Sequence, residues 1–452
     1  MRFNFVRFFK YFIVLFIIKA LYIYVNILML PEMWLSFDFD RNIVLSNIIY
    51  EILPFTICVA IYVYYYNSTH SLTFISSLLF CLYIIPNNST LVLSDYELSF
   101  YLSINAYNIL LLLLLGIESN KTRQSQYSSI SFLPQNLKLQ KTIRFLIYFT
   151  CIGVIAYVYF LKGSISLSGL FSVDIYENRA NVADMYMQYT DGLIAYIMTF
   201  WSAFYSSVLI IGLYVSLKNK RFMDVLLCVF TYFVLFSFET QKSILFKPII
   251  AIFICFLVVR RKMRDANMFF FLGFIAILAI TLIEHAYTNE SAIYSVVIRR
   301  ICYMPQYLSH AYFDFFSTHD KYWLTRDFFQ LEKVVRLFYP GSYAHGPVTV
   351  IAENCFPGVP SPNTGLFAEA FAQLGYLGIL IFPPITAKLI SLLSKSAQWY
   401  GEGAAHVLVA SILISITNIQ ILATRGILLF IVFILITWCI KRVSNKSQTL
   451  KQ

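Results

Sequence analysis

The sequence predicts an all-α polytopic membrane protein with about 12 transmembrane helices and one large external helical loop. Three observations predict it. Hydrophobic residues fill 59% of the 452 positions and charged residues only 13%, for a mean hydropathy of +0.70. A soluble chain of this length has no use for so much apolar surface. The apolar residues fall in runs long enough to cross about 30 Å of hydrocarbon. The charges between those runs are biased by side, basic on one and acidic on the other.

The first run, residues 11–30, follows a basic start (Arg2, Arg7, Lys10) and has no small-residue cleavage site, so it reads as a retained span rather than a removable signal. Further runs centre on residues 45–66, 71–86, 101–117, 143–162, 193–216, 224–239, 244–259, 267–286, 376–394, 404–423 and 425–440. The third, seventh and eighth are short and suit tilted or partly re-entrant helices. An even number of spans leaves both termini on one side.

With the N-terminus cytoplasmic, about 21 of the 34 lysines and arginines lie inside and about 11 outside, while about 18 of the 23 acidic residues lie outside. This bias accounts for a net charge of +11 without any nucleic-acid partner. The chain therefore divides into residues 1–286 with nine spans, an external loop over 287–375, and residues 376–452 with three spans and a basic cytoplasmic tail. Within the loop, "SAIYSVVIRRICYMPQYLSHAYFDFF" has helical periodicity. "YWLTRDFFQLEKVVRLFYP" reads as a second amphipathic helix ended by Pro340. Both suit helices lying on or dipping into the outer membrane surface.

The eight cysteines lie mostly in apolar runs without CxxC spacing and read as buried hydrophobes. Cys302 and Cys355 share the loop and could pair. The six histidines show no HxxxH or HExxH arrangement, and neither a Walker A motif nor a GxSxG elbow is present. No metal or cofactor is expected. Lys19 and Glu51, in the first and second spans, suit either a buried structural pair or the kind of charge pair a transporter uses.

External cations run against the topology rule, which makes Arg179, Lys242, Arg299, Arg300, Arg336 and Arg425 informative. A local ion pair, a helix cap or snorkelling explains any one of them. As a set spread over four loops they suit a common anionic ligand such as a lipid pyrophosphate, whose oxygens match the planar arginine fork. Near the tenth span, "CFPGVPSPNTGLFAEAFAQLGYLG" puts three prolines, four glycines and Glu369 beside an apolar run. Asn363 and Thr364 can cap a helix starting near Gly365, which would carry Glu369 toward the membrane surface. Glu369 then reads either as a carboxylate favoured by the helix dipole or as a reacting group. His345, framed by turn residues, and Glu353 are further acid–base candidates.

Taken with the spans and the late loop, "SPNTGLFAEAFAQLGYLGILIF" resembles the bacterial oligosaccharide repeat-unit polymerases of the Wzy type, which make O-antigen and capsule. The matching positions are Asn363, Thr364, Gly365, Glu369, Gly375, Tyr376 and Gly378; Leu366 stands where an aromatic is common, with Phe367 one place later. "YENRAN", "TQKSILF", "VIRRICYMPQY" and "ATRGILLFIVF" are weaker shared patches.

The resemblance implies a GT-C-like membrane enzyme in the bacterial inner membrane. It would transfer a growing glycan from undecaprenyl pyrophosphate to the sugar end of another lipid-linked repeat unit, at the outer face. It implies pyrophosphate binding by Arg179, Lys242, Arg299, Arg300 and Arg425, and catalysis by Glu369, His345 or Glu353. Asn363, Thr364 and Tyr303 would lie on the acceptor side. The partners implied are the lipid-linked oligosaccharide, membrane lipid, and a chain-length regulator and flippase of the same pathway. An O-antigen ligase shares the donor chemistry. A lipid-linked glycan flippase or secondary transporter predicts repeated halves, and the sequence shows no similarity between its halves.

Overall fold

The computed structural model describes residues 4–29, 44, 47–66, 71–94, 96–126, 137–160, 193–239, 242–259, 266–289, 291–325, 331–343, 345–356, 365–398, 400, 404–407, 431–439 and 442. Among them the chain is helical throughout and contains no strand, as an apolar environment that cannot satisfy free backbone groups requires. The described residues form two units.

In the first unit, α1 (Phe5–Met29), α2 (Ile48–Tyr65), α6 (Leu98–Gln126) and α11 (Ala266–Thr288) are long helices. Between α2 and α6 the chain forms a broken helix: α3 (Ser71–Leu79), a π segment π1 (Phe80–Ile84), α4 (Ile85–Asn88) and α5 (Thr90–Leu93). Pro86 sits in the first turn of α4, where its missing N–H costs little. Asn289 ends α11 at a positive φ of 57°, the left-handed position that asparagine tolerates. Glu284 then turns the chain: its carboxylate accepts from Ser291 Oγ (2.5 Å), Ala292 N (3.1 Å) and Ile293 N (3.2 Å) at the start of the next helix.

That next helix begins as a second π segment, π2 (Tyr294–Tyr303), and continues as α12 (Met304–Thr318). Tyr294, Ile298, Cys302 and Tyr303 are its buried face. α13 (Leu331–Phe338), α14 (Pro347–Cys355), α15 (Leu366–Leu374) and α16 (Tyr376–Gln398) follow.

The second unit packs α7 (Leu137–Phe160), α8 (Leu193–Lys218), α9 (Phe222–Glu239) and α10 (Lys242–Val259) against one another. Arg144 Nε meets the buried Asp224 at 3.2 Å, and Tyr148 donates to the same carboxylate at 3.0 Å. Lys247 is half-buried and donates to Ser206 Oγ at 3.1 Å.

Among the described residues six helices are long and apolar enough to cross a membrane: Phe5–Met29, Ile48–Tyr65, Leu98–Lys121, Gln140–Tyr159, Asn267–Thr288 and Tyr376–Gln398. Leu72–Asn88, Phe204–Lys218, Phe222–Ser237 and Lys247–Leu257 are shorter apolar helices over four of the other expected runs. Of the last two runs, only residues 404–407 and 431–439 are described, and both are helical.

The loop differs from expectation in one place. "YWLT" is not helical: Tyr322–Thr325 is a tight turn closed by Thr325 N to Tyr322 O at 2.9 Å, and the described helix of this stretch is Leu331–Phe338. Cys302 and Cys355 are both free thiols, Cys302 buried in π2 and Cys355 at the end of α14.

Candidate functional site

The segment that carries the family resemblance is a helix–turn–helix. α15 is nine residues long, and Leu366 through Gln373 are all buried. Its N-cap is Gly365, one place after the expected Asn363–Thr364, which lie outside the described residues. Gly365 has no side chain to offer, and the hydroxyl of Tyr83 on π1 takes that role by accepting from Phe367 N at 3.0 Å. Phe367 packs at 5.9 Å from Phe100 and 6.0 Å from Tyr107, both on α6, and Phe371 at 4.6 Å from Phe313 on α12.

Gly375 ends α15 at φ 58°, ψ −136°, a combination open to glycine, and the chain doubles back into α16. Gly378 then lies against α15: a Cβ there would sit 2.0 Å from the carbonyl oxygen of Ala370. Both glycines of "GYLG" therefore have backbone reasons to be glycine.

Glu369 is only 2% exposed, so α15 buries it inside the bundle. It is an electrostatic neighbour of the phenols of Tyr83 and Tyr107. Beside Tyr83, Asn108 is 1% exposed and neither of its amide atoms has a hydrogen-bond partner among the described residues. It faces a narrow crevice with Leu79, Ile84, Leu111 and Leu112.

The far end of α15 is clamped by the loop. Tyr322 N donates to Ala372 O (3.0 Å), Trp323 N to Gln373 O (2.8 Å), and Leu324 N to Gln373 Oε1 (3.1 Å). Trp323 and Leu324 both have positive φ, 50° and 64°, an arrangement that ordinarily calls for Asn-Gly. The hydroxyl of Tyr322 donates to His345 O at 2.9 Å, and Arg336 Nε to Thr325 O at 2.6 Å. Arg336, one of the cations expected on the outer side, thus holds the turn.

The remaining expected site residues are spread out. His345 and Glu353 are exposed, on the loop before α14 and on α14 itself. Tyr303 is buried at the end of π2. Arg299 and Arg300 share π2, where Arg299 is half-buried and the side chain of Arg300 is outside the described residues. Lys242 is the first residue of α10 in the second unit, its side chain also outside the described residues, as are Arg179 and Arg425 entirely. Among the described residues no three His, Cys, Asp or Glu side chains gather as a metal site.

Two polar clusters extend beyond what sequence reasoning assembled. Lys19 and Glu51 form an ion pair of 2.7 Å at 2% and 0% exposure. Lys19 Nζ also donates to Asn88 Oδ1 (2.5 Å) and Asn88 O (3.1 Å), and Val92 N donates to Glu51 Oε1 at 3.0 Å. Asn88 in turn donates to Tyr101 Oη and Asn105 Oδ1, each at 3.1 Å. The pair was legible as two ionisable residues in adjacent runs; its third partner, in the broken helix, was not.

The second cluster surrounds His310 on α12. Its ring stacks on Tyr96 at 3.9 Å and 14°, and meets Phe100 edge-on at 5.0 Å and 78°. Burial holds the imidazole below its ordinary value, while the charges of Asp314 and Glu97 pull the other way. Only the spacing of His310 and Asp314, four residues apart on a helical stretch, signalled this group in the sequence. Compared with family models, curated proteins and solved structures, the chain matches none.

Proposed function

We propose that the chain is a Wzy-type polymerase of lipid-linked polysaccharide repeat units, with about 12 spans in a GT-C-like arrangement and both termini cytoplasmic in a bacterial inner membrane. At the outer face it transfers a glycan from undecaprenyl pyrophosphate to the non-reducing-end sugar of a second lipid-linked repeat unit. The observation that carries the reading is the resemblance segment itself. It is a short buried helix that bears Glu369, is capped by Tyr83, and is turned by Gly375 back into a long apolar helix.

The chemistry suits that reaction class. An anomeric pyrophosphate is already a good leaving group and needs charge neutralisation more than a general acid. Arg179, Lys242, Arg299, Arg300 and Arg425 supply cations for it without a metal. The acceptor hydroxyl needs a base, worth about 10²–10⁴-fold in rate, for which Glu369, His345 and Glu353 are the motif-based candidates. Asn363, Thr364 and Tyr303 belong to the acceptor side in this reading.

A second reading, a flippase or secondary transporter of lipid-linked glycans, draws on a different observation: a helix broken at π1 whose α4 portion joins a buried Lys–Glu pair.

Purified protein given undecaprenyl-pyrophosphate oligosaccharide, with EDTA present, tests both. A ladder of lengthening glycans supports the polymerase. No change in glycan length, with movement of the lipid-linked sugar across a vesicle wall, supports the transporter. Transfer that occurs only onto a lipid A core identifies a ligase.

A further inference from the structure

We propose that His310 is the general base that takes the proton from the acceptor sugar's hydroxyl, an assignment that rests on the polymerase reading above. Tyr96 and Phe100 hold the ring on two sides, by a parallel stack at 3.9 Å and an edge contact at 5.0 Å. Such a grip fixes the imidazole's direction before any ligand arrives, which is the condition for efficient proton transfer. Neither ring nitrogen has a hydrogen-bond partner among the described residues, and the side chain is half-buried rather than sealed in. His319 is the contrast on the same helix: its Nδ1 is already engaged by Phe315 O and Thr318 Oγ1, each at 2.9 Å.

The surroundings suit the role. Glu97, from the stretch before α6, and Asp314, one turn along α12, are exposed carboxylates whose negative charge reaches the ring. The phenols of Tyr303 and Tyr307 are electrostatic neighbours of Tyr96, and the Cys355 thiol of Asp314. Burial keeps the imidazole in its basic neutral form at neutral pH, and the two carboxylates stabilise the cation once it forms. The motif-based candidates lack this combination: His345 and Glu353 are exposed, and Glu369 is 2% exposed inside the bundle. α12 also continues directly from π2, which carries Arg299 and Arg300, so one helix bears both the proposed base and two of the proposed pyrophosphate ligands.

In the step, the acceptor oxygen bonds to the anomeric carbon as the bond from that carbon to the pyrophosphate oxygen breaks. The electron pair of the broken bond leaves with the lipid pyrophosphate. The hydroxyl proton passes to a ring nitrogen of His310, and the imidazolium returns it to water before the next cycle.

The test uses the full-length protein in nanodiscs and the lipid-linked oligosaccharide that accumulates in cells from which its gene has been deleted. Wild-type protein should lengthen this substrate. H310A and H310Q should each lose about 100- to 10,000-fold in elongation rate, with unchanged binding of the lipid-linked substrate, and added imidazole should restore part of the H310A rate. If wild type elongates and either variant stays within about threefold of it, His310 is not the base and the polymerase reading stands. Loss in both variants without imidazole rescue assigns His310 a packing role and overturns the proposal. No elongation by wild type overturns the polymerase reading, and this assignment with it.

Discussion

The backbone amide of Phe367 donates to the hydroxyl of Tyr83 across 3.0 Å, joining the first turn of α15 to the π segment of a broken helix nearly three hundred positions earlier in the chain. Because Gly365 provides no side-chain cap, this phenol stands where a serine or aspartate usually does. Y83F should therefore destabilise the protein by about 0.5–2 kcal/mol, seen as a lower melting temperature in detergent. A melting curve indistinguishable from wild type would show that the amide is satisfied in another way.

The Lys19–Glu51 pair should behave as buried pairs do when split. K19M or E51Q alone leaves one charge uncompensated at under 3% exposure and should cost about 3–5 kcal/mol. The double variant should recover much of that loss, since two neutral side chains carry no such penalty. A double-mutant cycle on thermal unfolding measures the coupling, and additive losses would rule it out.

The turn at Trp323–Leu324 holds two L-residues at positive φ. Each left-handed residue costs about 1–2 kcal/mol, so L324G should raise stability by roughly 1 kcal/mol after glycine's larger unfolded-state entropy is counted. The melting temperature reads it directly. A fall would mean that packing of the Leu324 side chain outweighs the backbone relief.

G378A should be far more damaging than its size suggests, because its methyl group would meet the Ala370 carbonyl at 2.0 Å. Overpacking of this kind costs about 1–3 kcal/mol or more. L377A, an exposed neighbour, is the control and should change little. Comparable yields and melting points for the two would contradict the close helix approach.

His310 sets a pH dependence of stability. Above its unfolded value, about 6.5, the imidazole is neutral in both states and contributes nothing. Below that value the unfolded chain takes up the proton first, because burial depresses the folded value. Stability should therefore fall as the pH drops from about 7 toward 5, and H310Q should lose less over the same interval. Equal acid sensitivity of the two proteins would remove His310 as the cause.

The helices were legible because span length and apolar runs are properties of the local sequence: the runs at 11–30, 45–66, 101–117, 143–162, 267–286 and 376–394 all became long apolar helices. The break at Phe80–Ile84 was not, since a π segment differs from an α-helix only in bonding one residue further along the chain and leaves the hydropathy unchanged. The turn at Tyr322–Thr325 was missed for a related reason. "YWLT" has no Gly, Asn or Pro, and what holds its backbone is a set of bonds to Ala372 and Gln373, far along the chain. Glu369 was picked out by its motif, but its burial depends on α6 and α12 enclosing α15, which no local pattern encodes. His310 was one histidine among six until Tyr96 and Phe100 were brought to it.

The Lys19 network also imposes an order on membrane insertion during synthesis. Lys19 is made before its partners, and Glu51 and Asn88 follow it by 32 and 69 residues. At about 5–20 residues per second, the last of them follows by roughly 3–14 seconds. For that interval the first span carries a lone ammonium worth about 2.5–3.5 kcal/mol against insertion, and the apolar remainder of Phe5–Met29 has to hold it in the bilayer. That helix is thus completed only once the broken helix that carries Asn88 has been made.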